Sequence, residues 1–253
     1  MCYTFPMNQQ PYILFLLSSA RVLQLRDGTG IPTGFWAEEL VVPWNLLKNA
    51  GWTLSIGTPE GNIPIVDPDS LDIANLNNDR QKAVKLAEQL SRIPELEHPV
   101  SVQSLQAEQL ESMQGLFIPG GNGPLMDLAK SADVARLLQH CRDHRKALAT
   151  LCHGSAALLA TAHDQSAPPF SGNPVTCFSA AEEAATALAG RWPYTLEEHL
   201  RNAGFLVSVG ESWQSHVVDD AQILSGQNPA SAVALTEAFI QRLFFQTNKE
   251  NRQ

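Results

Sequence analysis

Residues 147–157 read Ala147-Leu148-Ala149-Thr150-Leu151-Cys152-His153-Gly154-Ser155-Ala156-Ala157, an uncharged run, a thiol, and then a series of small residues. Residues 147–151 have the length and composition of a buried strand, and the Ala- and Leu-rich stretch 155–162 reads as a helix packed closely beneath it. Cys152 therefore stands where a strand becomes a helix. That is the layout of a nucleophile elbow, in which a sharp turn flanked by small residues presents one reactive side chain. A thiol at a helix start also feels the partial positive charge of unpaired N–H groups, so Cys152 is expected to titrate below the ~8.5 of a free cysteine. The same letters also fit a buried cysteine beside a surface histidine.

Moving outward, residues 12–17, 53–56 and 115–118 are further short apolar runs, each near turn residues or helical spacing. Such alternation predicts an α/β fold with a mostly parallel central sheet and helices on both faces. Residues 38–50 place Leu40, Val41, Trp44 and Leu47 at helical intervals, with Gly51 as the stop. Helical spacing recurs over 79–90, 107–113, 124–129, 132–142 and 194–203. Further strands are expected at 174–178 and 205–209, and a hairpin-like pair over 217–224. A closing helix over 231–243, capped by Asn228 or Ser231, precedes a frayed polar tail at 246–253. Prolines and glycines from about 58 to 78 mark a surface excursion. One domain spanning residues 1–253 is expected.

The net charge of −9 argues against a phosphate-gripping face, so no nucleic-acid partner is expected. The apolar start at 12–17 is far shorter than the ~20 residues of a bilayer span, and residues 1–10 contain no Lys or Arg to open a signal peptide. The expectation is a cytoplasmic protein with no membrane partner. Cys2, Cys141, Cys152 and Cys177 form no C-x-x-C pair, which points to free thiols in a reducing compartment and disfavours a structural zinc. His140, His144, His163 and His199 show no ligand spacing. With no G-x-G-x-x-G fingerprint either, neither metal nor cofactor is expected.

The elbow is accompanied by Pro119-Gly120-Gly121, by Thr33-Gly34-Phe35-Trp36-Ala37-Glu38-Glu39, and by Gly226-Gln227-Asn228-Pro229-Ala230-Ser231. Together they resemble the ThiJ/PfpI superfamily, in particular its glyoxalase III or heat-shock-protein-31-like branch, from about Tyr12 to Leu243. The resemblance implies a flavodoxin-like three-layer sandwich with the site at the carboxyl ends of its strands. It implies Cys152 as nucleophile, approached by Glu39 from the first crossover helix; Glu38 reads better as a helix-start acid favoured by the macrodipole. It implies an oxyanion hole from the Gly121 and His153 N–H groups, although Pro119-Gly120-Gly121 alone reads equally as a tight turn. His153 would be the catalytic histidine, oriented by a carboxylate of Phe178-Ser179-Ala180-Ala181-Glu182-Glu183, with Glu183 favoured over Glu182. A homodimer is also implied. Asn122 stands where the branch often carries histidine, which weakens any metal clasp there. Cys177 stands where glycine is frequent and is open as a second reactive thiol. His216 matches a branch pattern and reads equally as a structural hydrogen-bonder.

The function implied is a glutathione-independent glyoxalase, a 2-oxoaldehyde hydratase that turns methylglyoxal or glyoxal into lactate or glycolate through a Cys152 hemithioacetal. Two other classes use the same thiol. One is a cysteine protease, amidase or deglycase; the other is a holdase chaperone or redox sensor whose cysteine oxidises readily.

Overall fold

A strand covered on both faces needs no alternation of polar and apolar residues, and Tyr12-Ile13-Leu14-Phe15-Leu16 is buried at every position. The computed structural model describes residues 10–161 and 167–250. In chain order, β1 (Tyr12–Leu16) is followed by a short hairpin of β2 (Val22–Gln24) and β3 (Gly30–Pro32), then α1 (Ala37–Asn49) and β4 (Thr53–Thr58). Next come α2 (Arg80–Leu90), β5 (Val100–Ser101), α3 (Ala107–Ser112), β6 (Met113–Ile118), α4 (Ala132–Asp143) and β7 (Ala147–Leu151). The remainder is β8 (Pro174–Val175), α5 (Ala180–Ala185), α6 (Leu196–Asn202), β9 (Leu206–Val207), β10 (Val217–Asp219), β11 (Ile223–Gly226) and α7 (Ala232–Glu250).

Seven of these strands form one sheet in the order β10-β11-β7-β6-β1-β4-β5. Every pairing is parallel except β10 with β11. With the two edge strands set aside, the order is that of a flavodoxin-like sheet. Alternate residues of β1 feed two separate layers. Tyr12, Leu14 and Leu16 join Val134, Leu137, Leu138 and Cys141 of α4 and Leu196 and Leu200 of α6. Ile13 and Phe15 join Leu40, Trp44 and Leu47 of α1 and Leu235, Phe239 and Leu243 of α7. In that second layer Phe15 stacks on Phe117 at 5.1 Å, and Phe117 meets Phe239 edge-on at 5.6 Å. Because β1 leads through α1 to β4 on one side and lies beside β6 on the other, the chain reverses direction across the sheet there. The crevice at such a reversal, beyond the carboxyl ends of the strands, is where open parallel sheets hold their ligands.

Several elements depart from expectation for identifiable reasons. The strands expected at 174–178 and 205–209 shrink to β8 and β9, which pair with each other outside the central sheet. The stretch 124–129 forms two 3₁₀ turns, Gly123–Leu125 and Leu128–Lys130. There Asp127 accepts the Leu128 N–H with its own side chain, while also binding Ser18 Oγ and the Ser19 and Ala20 N–H groups. Residues after the elbow wind as a 3₁₀ helix, Cys152–Leu159, rather than an α-helix. Helix α7 continues to Glu250, past the expected end at 243, so the tail is helical through residues expected to fray. Residues 251–253 of that tail lie outside the described residues, as do Cys2 and His163. In the excursion, 3₁₀ turns at Pro68–Leu71 and Ile73–Leu76 follow the buried Asp67, which caps the first of them and accepts from Thr33 Oγ1 at 3.0 Å and Asn122 Nδ2 at 3.3 Å. These bonds fasten the excursion to the crevice. Among the described residues no helix is long and apolar enough to cross a membrane.

Candidate active site

Strand β7 delivers Cys152 to the crevice at φ +57°, a left-handed conformation uncommon for any residue but glycine. The turn is forced to be this tight by its neighbour. A Cβ on Gly154 would stand 2.4 Å from the Ile118 carbonyl oxygen and 2.6 Å from that of Pro119, so the elbow rests directly on the end of β6. The loop leaving β6 is equally close. A Cβ on Gly120 would lie 2.5 Å from Glu39 Oε2 and 2.8 Å from Cys152 Cβ. Glycine at 120 thus leaves the gap in which the carboxyl group and the thiol side chain come together, and its N–H donates to Glu39 Oε2 at 2.7 Å. Gly121 follows at φ +98° and lines the same cavity as Cys152 and His153.

Glu39 is fully buried, and burial pushes its pKa up to about 8, against the opposing pull of the Gly120 N–H and the Cys152 side chain. Its other oxygen, Oε1, is buried without a well-formed hydrogen bond among the described residues. Burial also raises the Cys152 thiol well above its ordinary value; the Glu39 charge adds to the rise and the His153 N–H opposes it. This reverses the expectation of a lowered thiol pKa. The helix-start argument assumes a solvated sulfur, whereas Cys152 is 6% exposed and faces a carboxyl group. The two acids form a coupled pair whose protons belong to both.

The imidazole of His153 is buried between Phe178 at 4.7 Å and Trp192 at 5.0 Å. Its Nε2 lies 3.2 Å from Glu183 Oε1, which also accepts the Leu196 N–H. Glu182, one residue earlier, takes a different position: it caps α5 with Ser179 and reaches Trp213, Gln227 and Asn228. Of the two candidates, Glu183 is the one beside His153. Glu38 pairs with Lys82 at 2.7 Å at the cavity's edge. Cys177 is fully buried, its thiol raised by burial and then by Glu197, and unlike Cys152 it does not line the cavity. His216 binds Ser208 Oγ through Nε2 and Ser231 Oγ through its backbone, as a structural hydrogen-bonder does. Among the described residues no three or more His, Cys, Asp or Glu side chains converge as metal ligands.

The cavity over Cys152 has a volume of about 520 Å³. One wall is polar, with Asp69, Asn75 and Asn77 of the excursion beside Lys82; another carries Phe178, Trp192 and Trp213. Lys82, Trp192 and Trp213 were not singled out from sequence. They sit on a crossover helix and on loops, and only the folded chain brings them to the thiol. An isolated tryptophan within the largely polar stretch 208–216 is a local signal from which Trp213 could have been found.

Comparison with known proteins bears on this geometry. A protein/nucleic acid deglycase HchA of Pseudomonas aeruginosa is 27% identical over 241 residues, covering 91% of this chain and 80% of the relative. The glutamine amidotransferase-like class 1 domain-containing protein 1 of Bos taurus is 29% identical over 187 residues, 74% of this chain and 79% of its own. Glyoxalase III of Candida albicans superposes with a TM-score of 0.74 at 20% identity, covering 92% of this chain and 97% of that one, a likeness of fold. The HchA name corrects one expectation. Net charge speaks against a surface that grips phosphates, but it does not exclude nucleic acid as a partner, because a relative spanning most of the chain is named for acting on both protein and nucleic acid. The family model described as ThiJ/PfpI family-like matches residues 32–191, more than half of the chain, and the chain belongs to that family.

Proposed function

We propose that this protein is a cofactor-independent thiol enzyme acting on 2-oxoaldehydes, a glutathione-independent glyoxalase that yields 2-hydroxy acids. The observation that carries the reading is the buried pair of Cys152 and Glu39, with Glu39 held at a pKa of about 8, opening onto a cavity. Sulfur adds to the aldehyde carbon as the thiol proton passes to Glu39, and the Gly121 and His153 N–H groups receive the oxyanion. Glu39 returns that proton to the oxyanion, then with the His153 side chain takes the proton from the former aldehyde carbon and delivers one to the neighbouring carbonyl carbon, through an enediol. The first carbon is oxidised to a thioester while the second is reduced to an alcohol, so the electrons balance without a redox partner. Water, deprotonated by the His153 imidazole under the influence of Glu183, adds to the thioester and expels the Cys152 sulfur. The test is lactate formation from methylglyoxal without glutathione: turnover in the parent and none in Cys152→Ala is expected, and equal turnover in both defeats the scheme.

A deglycase reading has its own support. The cavity falls within the ~300–1,000 Å³ of sites that enclose drug-sized ligands, far more than a three-carbon aldehyde fills. The HchA relatives carry that name. The same sulfur would attack the carbon of an aldehyde–amine adduct and release the amine. Comparing free methylglyoxal with its amine adducts as substrates separates the two readings.

A further inference from the structure

Glu182 is fully buried and carries far more hydrogen bonds than a helix cap requires. Its Oε2 accepts the Ser179 N–H at 3.0 Å, Ser179 Oγ at 2.8 Å and Gln227 Nε2 at 3.0 Å. Its Oε1 accepts the Trp213 N–H at 2.8 Å and Asn228 Nδ2 at 2.7 Å. Capping α5 accounts for the bonds to Ser179 alone. The remaining three reach 31, 45 and 46 residues along the chain, and they saturate a carboxylate that no cation neutralises among the described ion pairs. Two of the three donors, Trp213 and Asn228, line the cavity with Cys152.

Trp213 is held in a conformation that a bulky residue rarely adopts, at φ +65°. Its indole is half exposed and meets the Phe178 ring edge-on at 5.6 Å, and Phe178 lies in turn against His153. The result is a row of rings leading from the site to an open aromatic face. We infer that Glu182 is a positioning residue, holding Trp213 and Asn228 as the wall of a subsite for a planar, conjugated group carried beside the carbon that Cys152 attacks. The inference rests on Cys152 being the nucleophile proposed above. It deepens that reading by assigning the cavity volume that a small aldehyde leaves empty. The Glu182 charge also contributes to holding the Cys152 and Glu39 protons in place.

The test compares alkylation of Cys152 in the full chain by N-phenylmaleimide and N-ethylmaleimide, followed by mass spectrometry. These reagents share their chemistry and differ in a planar ring, so the ratio of their rates cancels any change in thiolate fraction. Trp213→Ala is expected to lower the phenyl-to-ethyl ratio about fivefold, the scale of one aromatic contact. Glu182→Gln, which turns an amide N–H₂ toward some of the donors, is expected to lower it similarly. Asn228→Ala removes one donor, should give a smaller drop in the same direction, and serves if Glu182→Gln does not fold. A parental ratio in Trp213→Ala overturns the subsite; a lowered ratio there with parental ratios in folded Glu182→Gln and Asn228→Ala overturns the positioning role. Because no substrate is used, absent methylglyoxal turnover leaves the ratio readable. If neither reagent labels Cys152, the nucleophile and the subsite fall together.

Discussion

Glu39 and Cys152 are two acids buried side by side: burial raises both, the Glu39 carboxylate strengthens the thiol's hold on its proton, and the thiol hydrogen bond pulls Glu39 the other way. With Glu39 at about 8, the pair keeps both protons at neutral pH and yields the first only as the pH climbs through that value. Reaction needs that ionisation, since the carboxylate receives the thiol proton. We therefore expect kcat/KM for methylglyoxal to rise with pH through about 8 and then level off; a profile already flat from pH 6 to 9 would separate the pair from the chemistry. Glu39→Gln acts in opposite directions on two readouts. Removing the carboxylate that raises the thiol should lower the pH midpoint of iodoacetamide alkylation, while turnover falls by the ~10²–10⁴-fold typical of losing a general acid–base. Methylglyoxal should still be captured as a reversible mass adduct on Cys152. If lactate forms at the parental rate, the proton transfer belongs elsewhere. The approach of Glu39 to Cys152 was expected from the resemblance, but the thiol pKa was not, because its direction depends on burial that no local pattern reveals.

The elements most legible in sequence were those in which periodicity and length agreed. Helix α1 was expected over 38–50 and is found at Ala37–Asn49, and β7 matches its expected 147–151. Elements misread were those shaped by side chain–backbone bonds or by very short pairings. Asp127 breaks the expected helix at 124–129, while β2, β3 and β5 span two or three residues each and leave no periodic trace. The elbow lies between these cases, because its strand is legible while its tightness depends on β6. That contact predicts the outcome of one substitution. A Cβ on Gly154 would press on two backbone oxygens that no rotamer change can move, so Gly154→Ala should cost the ~1–3 kcal/mol of an overpacked core and displace Cys152. A lowered urea midpoint together with reduced turnover is expected. Parental values for both would mean that the elbow does not rest on the end of β6.

Across the whole molecule, the layers were legible because both faces of the sheet are paired with amphipathic helices, and the aromatic wall was not, because its rings come from segments distant in the chain. The same convergence that builds the site places a cost on the fold. Glu39 titrates near 4.5 as a free side chain and at about 8 when folded, so between those values the unfolded chain has lost a proton that the native state retains. Protons bound preferentially by the native state mean that stability falls as pH rises. The stabilisation is complete below about 4.5 and is gone once the pH passes about 8, a loss on the order of 5 kcal/mol at ~1.36 kcal/mol per pK unit. Burial also raises Asp67 and Asp127, but both are present in parent and variant alike, so a comparison with Glu39→Gln isolates the one group. Urea unfolding at a series of pH values should show parental stability declining from pH 5 to 8 more steeply than that of Glu39→Gln, with the variant the more stable protein at pH 8. Parallel declines would mean that Glu39 is solvated or ionised in the native state, and the assignment of a buried, proton-holding carboxyl beside Cys152 would fall with them.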